Sequence, residues 1–287
     1  MAVAGNAFDI PLELRANDVS RRVLSIDSRF RSSSNSSTSN FYYRLQPPVK
    51  NVLRIRITTI EFPRDYRFFT VKRANVTLRV IYDRLAPKTV VLTIPEGNYT
   101  PPELCSQLNT LLSTLLPWLT VVYDSNTKRV TFTGTQPFAI DTTYDSIDRP
   151  FDYGLGYYLG FSHKSHVGVQ IVDNYVVASN ICVGAASDPY LLLKINEYDC
   201  VSHQLDDQTI TAFAKIDFHE HAHHDHHWEV VFPNPQDLTR LHIQILDAYG
   251  DLMDLCGTQF SFSLEVLEVK NLSLYNTIRD SLRLQYT

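Results

Sequence analysis

The 287 residues suffice for one large core or two smaller ones, and 44% hydrophobic with 20% charged residues excludes a disordered chain. A formal net charge of −5 excludes a strongly basic grip on nucleic acid. No apolar run approaches the roughly 20 residues that a membrane-spanning helix needs.

Cys105, Cys182, Cys200 and Cys256 are widely spaced and form no C-x-x-C pair, so they suggest neither a zinc ribbon nor a redox motif. The opening "MAVAGNAFDIPLEL" lacks the basic and apolar regions of a signal peptide. Reduced, buried thiols in a protein made in the cytosol are expected, and the N-x-S/T matches at Asn35, Asn75, Asn98 and Asn271 then carry little weight.

Residues 1–40 read as an N-terminal arm. Its basic Arg21, Arg22, Arg29 and Arg31 are interspersed with Asp18 and Asp27, as on a solvated or subunit-facing arm, and it ends in the low-complexity "RSSSNSSTSN". Strands follow. "VLRIRITTIEF" alternates through Leu53, Ile55 and Ile57, then shifts phase to Ile60 and Phe62, which predicts a bulge or a change of sheet. "VTLRVIY" and "TVVLTI" share the β-branched and aromatic bias.

One segment breaks the pattern. Thr100 and Glu103 make a capping box with Pro101 at the first helical position, and Leu104, Leu108, Leu111 and Leu115 fall on one helical face before Pro117 ends the run. "LTVVYD", the turn "SNTK" and "RVTFTG" then read as a hairpin. Residues 88–165 are thus expected to form an inserted α/β module, closed by the aromatic and Gly-rich "YGLGYYLGF".

"YLLLKI", "TITAFAKID", "WEVVF", "LHIQIL" and "FSFSLEVLEV" continue the strand series; the last puts Phe260, Phe262, Leu264 and Val266 opposite Ser261, Ser263 and Glu265. Eight or more strands without intervening helices predict an all-β fold, a single jelly-roll β-sandwich over 41–87 and 166–270, interrupted by the 88–165 module. The 271–287 tail has Leu274, Ile278 and Leu282 at helical spacing, which suits a helix closing the domain or docking on a neighbour.

"HEHAHHDHHWE" holds six of the ten histidines: His219, His221, His223, His224, His226 and His227. Its H-E-x-x-H match would need a helix to bring both histidines to one zinc, yet the flanking sequences read as strands. Three alternatives remain: an adventitious or structural divalent metal at these six residues, a proton-sensitive cluster, or a solvated or subunit-facing polar loop. No phosphate-binding loop or nucleophile elbow is present. Asp141, Asp145 and Asp148 have the chemistry to approach a cation, with a solvated loop the commoner arrangement, and Trp118 and Trp228 read as core or interface anchors.

Taken together, "SIDSRFR" (25–31), "SNFYYRLQPPVKNVLRIRITTIEFP" (39–63), "IPEGNYTPPELCSQLN" (94–109), "VVYDSNTKRVTF" (121–132) and "NPQDLTRLHIQILDAYGDLMDL" (234–255) resemble the penton and single jelly-roll minor capsid proteins of nucleocytoplasmic large DNA viruses. The resemblance covers most of residues 24–270 and rests on the order of these pieces; the histidine segment is not part of the pattern.

It implies a non-enzymatic capsid subunit, made in the host cytoplasm and carried in the virion, whose partners are its own copies in a homopentamer and neighbouring major and minor capsid proteins. No specific nucleic acid and no cofactor are expected. A minor capsid or cement protein elsewhere in the shell is the alternative role. The competing class is a carbohydrate- or metal-binding β-sandwich, which would bind its ligand as an isolated monomer.

Overall fold

The computed structural model describes residues 18–32, 37–63, 66–143, 153–183, 190–205, 208–217 and 228–285, with side chains through residue 280. In chain order these form β1 (Val19–Asp27), β2 (Asn40–Glu61), β3 (Thr77–Tyr82), β4 (Lys88–Thr93), α1 (Pro101–Leu115), β5 (Leu119–Asp124), β6 (Arg129–Gly134), β7 (Phe138–Asp141) and α2 (Gly154–Tyr158). After these come β8 (Ser165–Val167), β9 (Val169–Ile171), β10 (Asn174–Ala178), β11 (Tyr190–Ile195), β12 (Val201–Leu205), β13 (Gln208–Ala212), β14 (Ala214–Asp217), β15 (Glu229–Leu246), β16 (Ser261–Val269) and α3 (Leu272–Gln285). They divide into two compact units, Met1–Tyr66 with Pro189–Thr287, and Arg67–Asp188.

The first unit is built on two long strands that each serve twice. Residues 52–61 of β2 pair with β16, and 54–56 also pair with 229–231 of β15; residues 40–49 of β2 pair instead with 238–244 of β15. Between these stretches the register breaks, with "FPNP" of β15 in excess on one side and "LQPP" of β2 on the other. Proline has no N–H to give a ladder, so both strands turn where their prolines fall.

That turn folds the sheet onto itself. A straight β2 would separate Phe41 from Glu61 by roughly 65 Å. Yet the Phe41 ring lies 5.9 Å from that of Phe260, whose neighbour Ser261 pairs with Glu61. Two layers result, their strand segments ordered β1, β16, 52–61, 229–231 and 40–49, 238–246, β11, β14. Numbered along the chain this is 1-8-3-6 over 2-7-4-5, the double Greek key of a jelly roll, so the expected all-β sandwich is the observed one.

Local readings translate as follows. The phase shift after Ile57 is a bulge at Thr58, since Thr59 pairs with Ser263 and Ile57 with Leu264. A second shift lies between Leu267 and Glu268, and Leu53 joins a separate cluster with Val269 and Tyr275 of α3. The C-terminal helix therefore closes its own domain through Tyr275, while Leu274, expected on its apolar face, is exposed. "TITAFAKID" divides at Phe213 into β13, paired with β12, and β14, paired with β11.

Two expected boundaries are corrected. Residues 19–27 are not part of an arm: β1 pairs with β16 along its whole length, and its weak alternation is that of an edge strand with only Ile26 deeply buried. The inserted unit spans 67–188, not 88–165, because β3 pairs with β4 and β7, and β10 with β6 and β9. It carries two four-stranded antiparallel sheets, β4-β3-β7-β8 and β5-β6-β10-β9, beside α1 and α2.

Helix α1 starts as expected, with the Glu103 carboxylate accepting from the backbone N–H and hydroxyl of Thr100 at 2.8 Å each. Its buried stripe is Leu104, Cys105, Leu108 and Leu112, not Leu111 and Leu115. Leucines at 111, 112, 115 and 116 fit either of two adjacent stripes, and packing on β5 selects one.

Phe41→Ala should lower unfolding stability by about 3–5 kcal/mol in urea denaturation, because its ring bridges the layers. Val23→Ala, at an exposed site on β1, should stay within about 0.5 kcal/mol. Equal costs would mean that the layers do not close on Phe41.

Candidate functional site

His219, His221, His223, His224, His226 and His227 lie outside the described residues. Their flanks are strands, as expected: β14 ends at Asp217 in one layer and β15 starts at Glu229 in the other, so the segment connects the layers. Its second foot is fixed where the Ile57 N–H donates to the Trp228 carbonyl at 3.1 Å and the Cys200 thiol to that of Glu229 at 3.1 Å. His166, His203 and His242 each hydrogen-bond within the chain through Nε2, and among the described residues no three His, Cys, Asp or Glu side chains converge as a metal set.

Asp145 and Asp148 also lie outside the described residues, whereas Asp141 is buried at the end of β7. Burial pushes its carboxyl pKa up, but hydrogen bonds from the Thr143 hydroxyl and Arg79, with the Arg79 charge, outweigh this and hold it below the usual range. Asp141 is therefore a structural ion-pair partner in the second unit. Trp118 is half-buried against Tyr82 and Phe138, as a core anchor would be.

The residues quoted for the family resemblance occupy corners. The Ser28 N–H donates to the Phe260 carbonyl, while the Ser28 hydroxyl accepts from the Phe260 N–H at 3.0 Å and donates to Gln259 Oε1 at 2.7 Å. Asp237 accepts from Lys50 Nζ at 2.6 Å and from the N–H of Asn51, which sits at φ 53 beside the strand bend. Asp247 Oδ1 accepts from the N–H groups of Tyr249 and Asp251, closing a turn whose Gly250, at φ 85, has no room for a side chain beside Ile210.

"PEGNYT" does the same in the second unit. Gly97 exchanges backbone bonds with Phe69, Asn98 Oδ1 accepts from Phe68 N–H at 2.7 Å, and Glu96 accepts from Val71 N–H. Asn109 of α1 blocks the free edge of β5 by bonding both the N–H and the C=O of Val121. Sequence reasoning did not assign these roles. Asp, Asn and Gly beside strand ends were the available signal, since their side chains or freedom close turns.

What remains open is surface. On the outer face of the first layer Arg54 and Arg56 share Glu265, and on the edge strand β1 Arg22 pairs with Glu268. In the second unit β8 and β9 are sheet edges exposing Val167 (61%), Val169 (65%) and Ile171 (54%), and Val172 (83%) follows in the turn after β9. Val172 also sits at φ 54, costly for a β-branched residue. An exposed apolar edge of this kind is a contact surface or an aggregation hazard.

The thiols offer a check on burial. Burial pushes the Cys105 thiol up to about 11, and burial with the charges of Asp199 and Glu229 does the same for Cys200. Near neutral pH a thiol-alkylating reagent should label exposed Cys182 and Cys256 first and Cys105 only on unfolding, read by peptide mass spectrometry. Early labelling of Cys105 would contradict the packing of α1.

No family model matches the sequence, and no curated protein matches it. Among solved structures the chain is similar to the crystal structure of the mavirus penton protein, at 11% identity and a TM-score of 0.38, over 88% of this chain and 99% of that one.

Proposed function

We propose that this chain is a non-enzymatic structural subunit of the shell of a large icosahedral DNA virus, forming homopentamers at the fivefold vertices and contacting neighbouring capsid proteins there. The observation that carries this reading is that the motifs shared with the penton and minor capsid family hold the corners of a jelly roll: Ser28, Asp237 and Asp247 each tie a turn or bend of that sandwich. Jelly rolls serve several functions, so the fold alone does not choose among them. The exposed apolar β8–β9 edge suits an assembling subunit, which covers such a surface with a neighbour. Ring-closing fivefold contacts would be heterologous, joining different patches of adjacent copies.

An electron-microscopy map of the particle, reconstructed without imposed symmetry, tests this. Five copies around each vertex are expected. Copies elsewhere in the shell would assign the minor capsid or cement role, and absence from the particle would return the ligand-binding sandwich to the front.

We further propose that the histidine segment is a solvated or subunit-facing polar connection and not a metal site, a reading supported by the strands that flank it. Equilibrium dialysis of the full chain against Zn²⁺ at neutral pH should then leave no stoichiometric metal. One tightly held zinc per chain, lost when His219, His221 and His223 are replaced by Ala, would overturn this.

A further inference from the structure

The two layers of the jelly roll differ in charge on their outer faces. On the first, Arg54 and Arg56 both pair with Glu265, and Arg54 also with Glu229. In the second, every strand segment contributes one basic residue: Arg44 on β2, Arg240 on β15, Lys194 on β11 and Lys215 on β14.

Register puts the four on one side of the layer, where Leu192 and Leu246, in the row with Lys215, are buried with Ala212 against Val201 and Ile210 of β12 and β13. Arg240 is directly opposite Arg44; Lys194 is opposite Gln244, four residues beyond Arg240, and Lys215 is opposite Leu192, two residues before Lys194. None has an ion-pair partner among the described residues, although Glu197 and Asp217 lie close in sequence.

Like charges directly opposite on neighbouring strands destabilise a sheet. Here the arrangement is also held in place. The Arg240 guanidinium lies 4.2 Å from the centroid of the Tyr42 ring, on which His242 stacks at 4.4 Å, and Lys215 Nζ lies 3.9 Å from that of Tyr190. Burial, Arg240 and Lys194 all push the His242 pKa below its ordinary value, consistent with an uncompensated positive potential.

We propose that this face docks an acidic protein segment, one presenting several carboxylates along an extended backbone and supplied by a neighbouring subunit. A dense polyanion such as a nucleic-acid duplex fits less well. The chain's net charge of −5 opposes long-range attraction of such a ligand. Tyr42, already stacked against Arg240 and His242, is not free to act as a platform for bases.

The inference deepens the assembly reading by giving the chemistry of one neighbour. It is tested on the isolated full-length chain, so its failure is separable from that of the vertex assignment.

The test is fluorescence anisotropy with a labelled octaglutamate peptide at neutral pH, at low and at near-physiological salt. Saturable binding is expected, weakened roughly tenfold by the Arg44→Gln/Arg240→Gln double variant and by less than about twofold by Arg22→Gln on β1, whose cation is already paired with Glu268. Arg44→Gln alone should raise the Tm at low salt, with the gain fading as salt is added, which verifies folding and reports the relieved repulsion. No saturable binding, equal loss with Arg22→Gln, or a DNA duplex that binds more tightly than the peptide and loses affinity in the double variant would each overturn the proposal.

Discussion

The first unit depends on the bend in β2 and β15. Each strand carries two prolines at the point where it leaves one layer for the other, and at each point the partner strand has a single residue opposite an unpaired run. Proline cannot serve the ladder, so the break in hydrogen bonding is fixed covalently, and the apolar residues on either side are left to close on one another. Phe41 meeting Phe260 is that closure. The eight-segment order, the edge position of β1 and the α3 lid over Leu53 all follow from the same folded sheet.

A sandwich made this way has two outer faces with different electrostatic histories. On the first layer, Glu265 of β16 lies opposite Arg56 and within reach of Arg54, so register gives both arginines a partner. On the second layer Arg44 faces Arg240, and among the described residues neither forms an ion pair. The contrast arises from which strands become neighbours and not from the arginine content of any one strand.

The motif residues act chiefly as pins. Asp237, Asp247, Asn98 and Gly97 each bond backbone groups that a turn or bend would otherwise leave unpaired. Such a set can resemble a protein family without marking a pocket, because it is the fold's corners that require those residues.

Features that depend on neighbours in the chain were legible from the residues: the capped start of α1, the β5–β6 hairpin, the bulge after Ile57 and the two-sided pattern of β16. So was the all-β class, since alternating apolar residues leave few other ways to bury a face. Tertiary structure alone decided which sheet each strand joined, and so moved 19–27 into the jelly roll and 67–87 with 166–188 into the inserted unit. It decided that Leu112, not Leu111, is buried, and that Asp141 is paired with Arg79. The uncompensated cationic face was illegible for the same reason: period and propensity are local, whereas strand pairing joins residues nearly two hundred positions apart, as in Arg44 and Arg240.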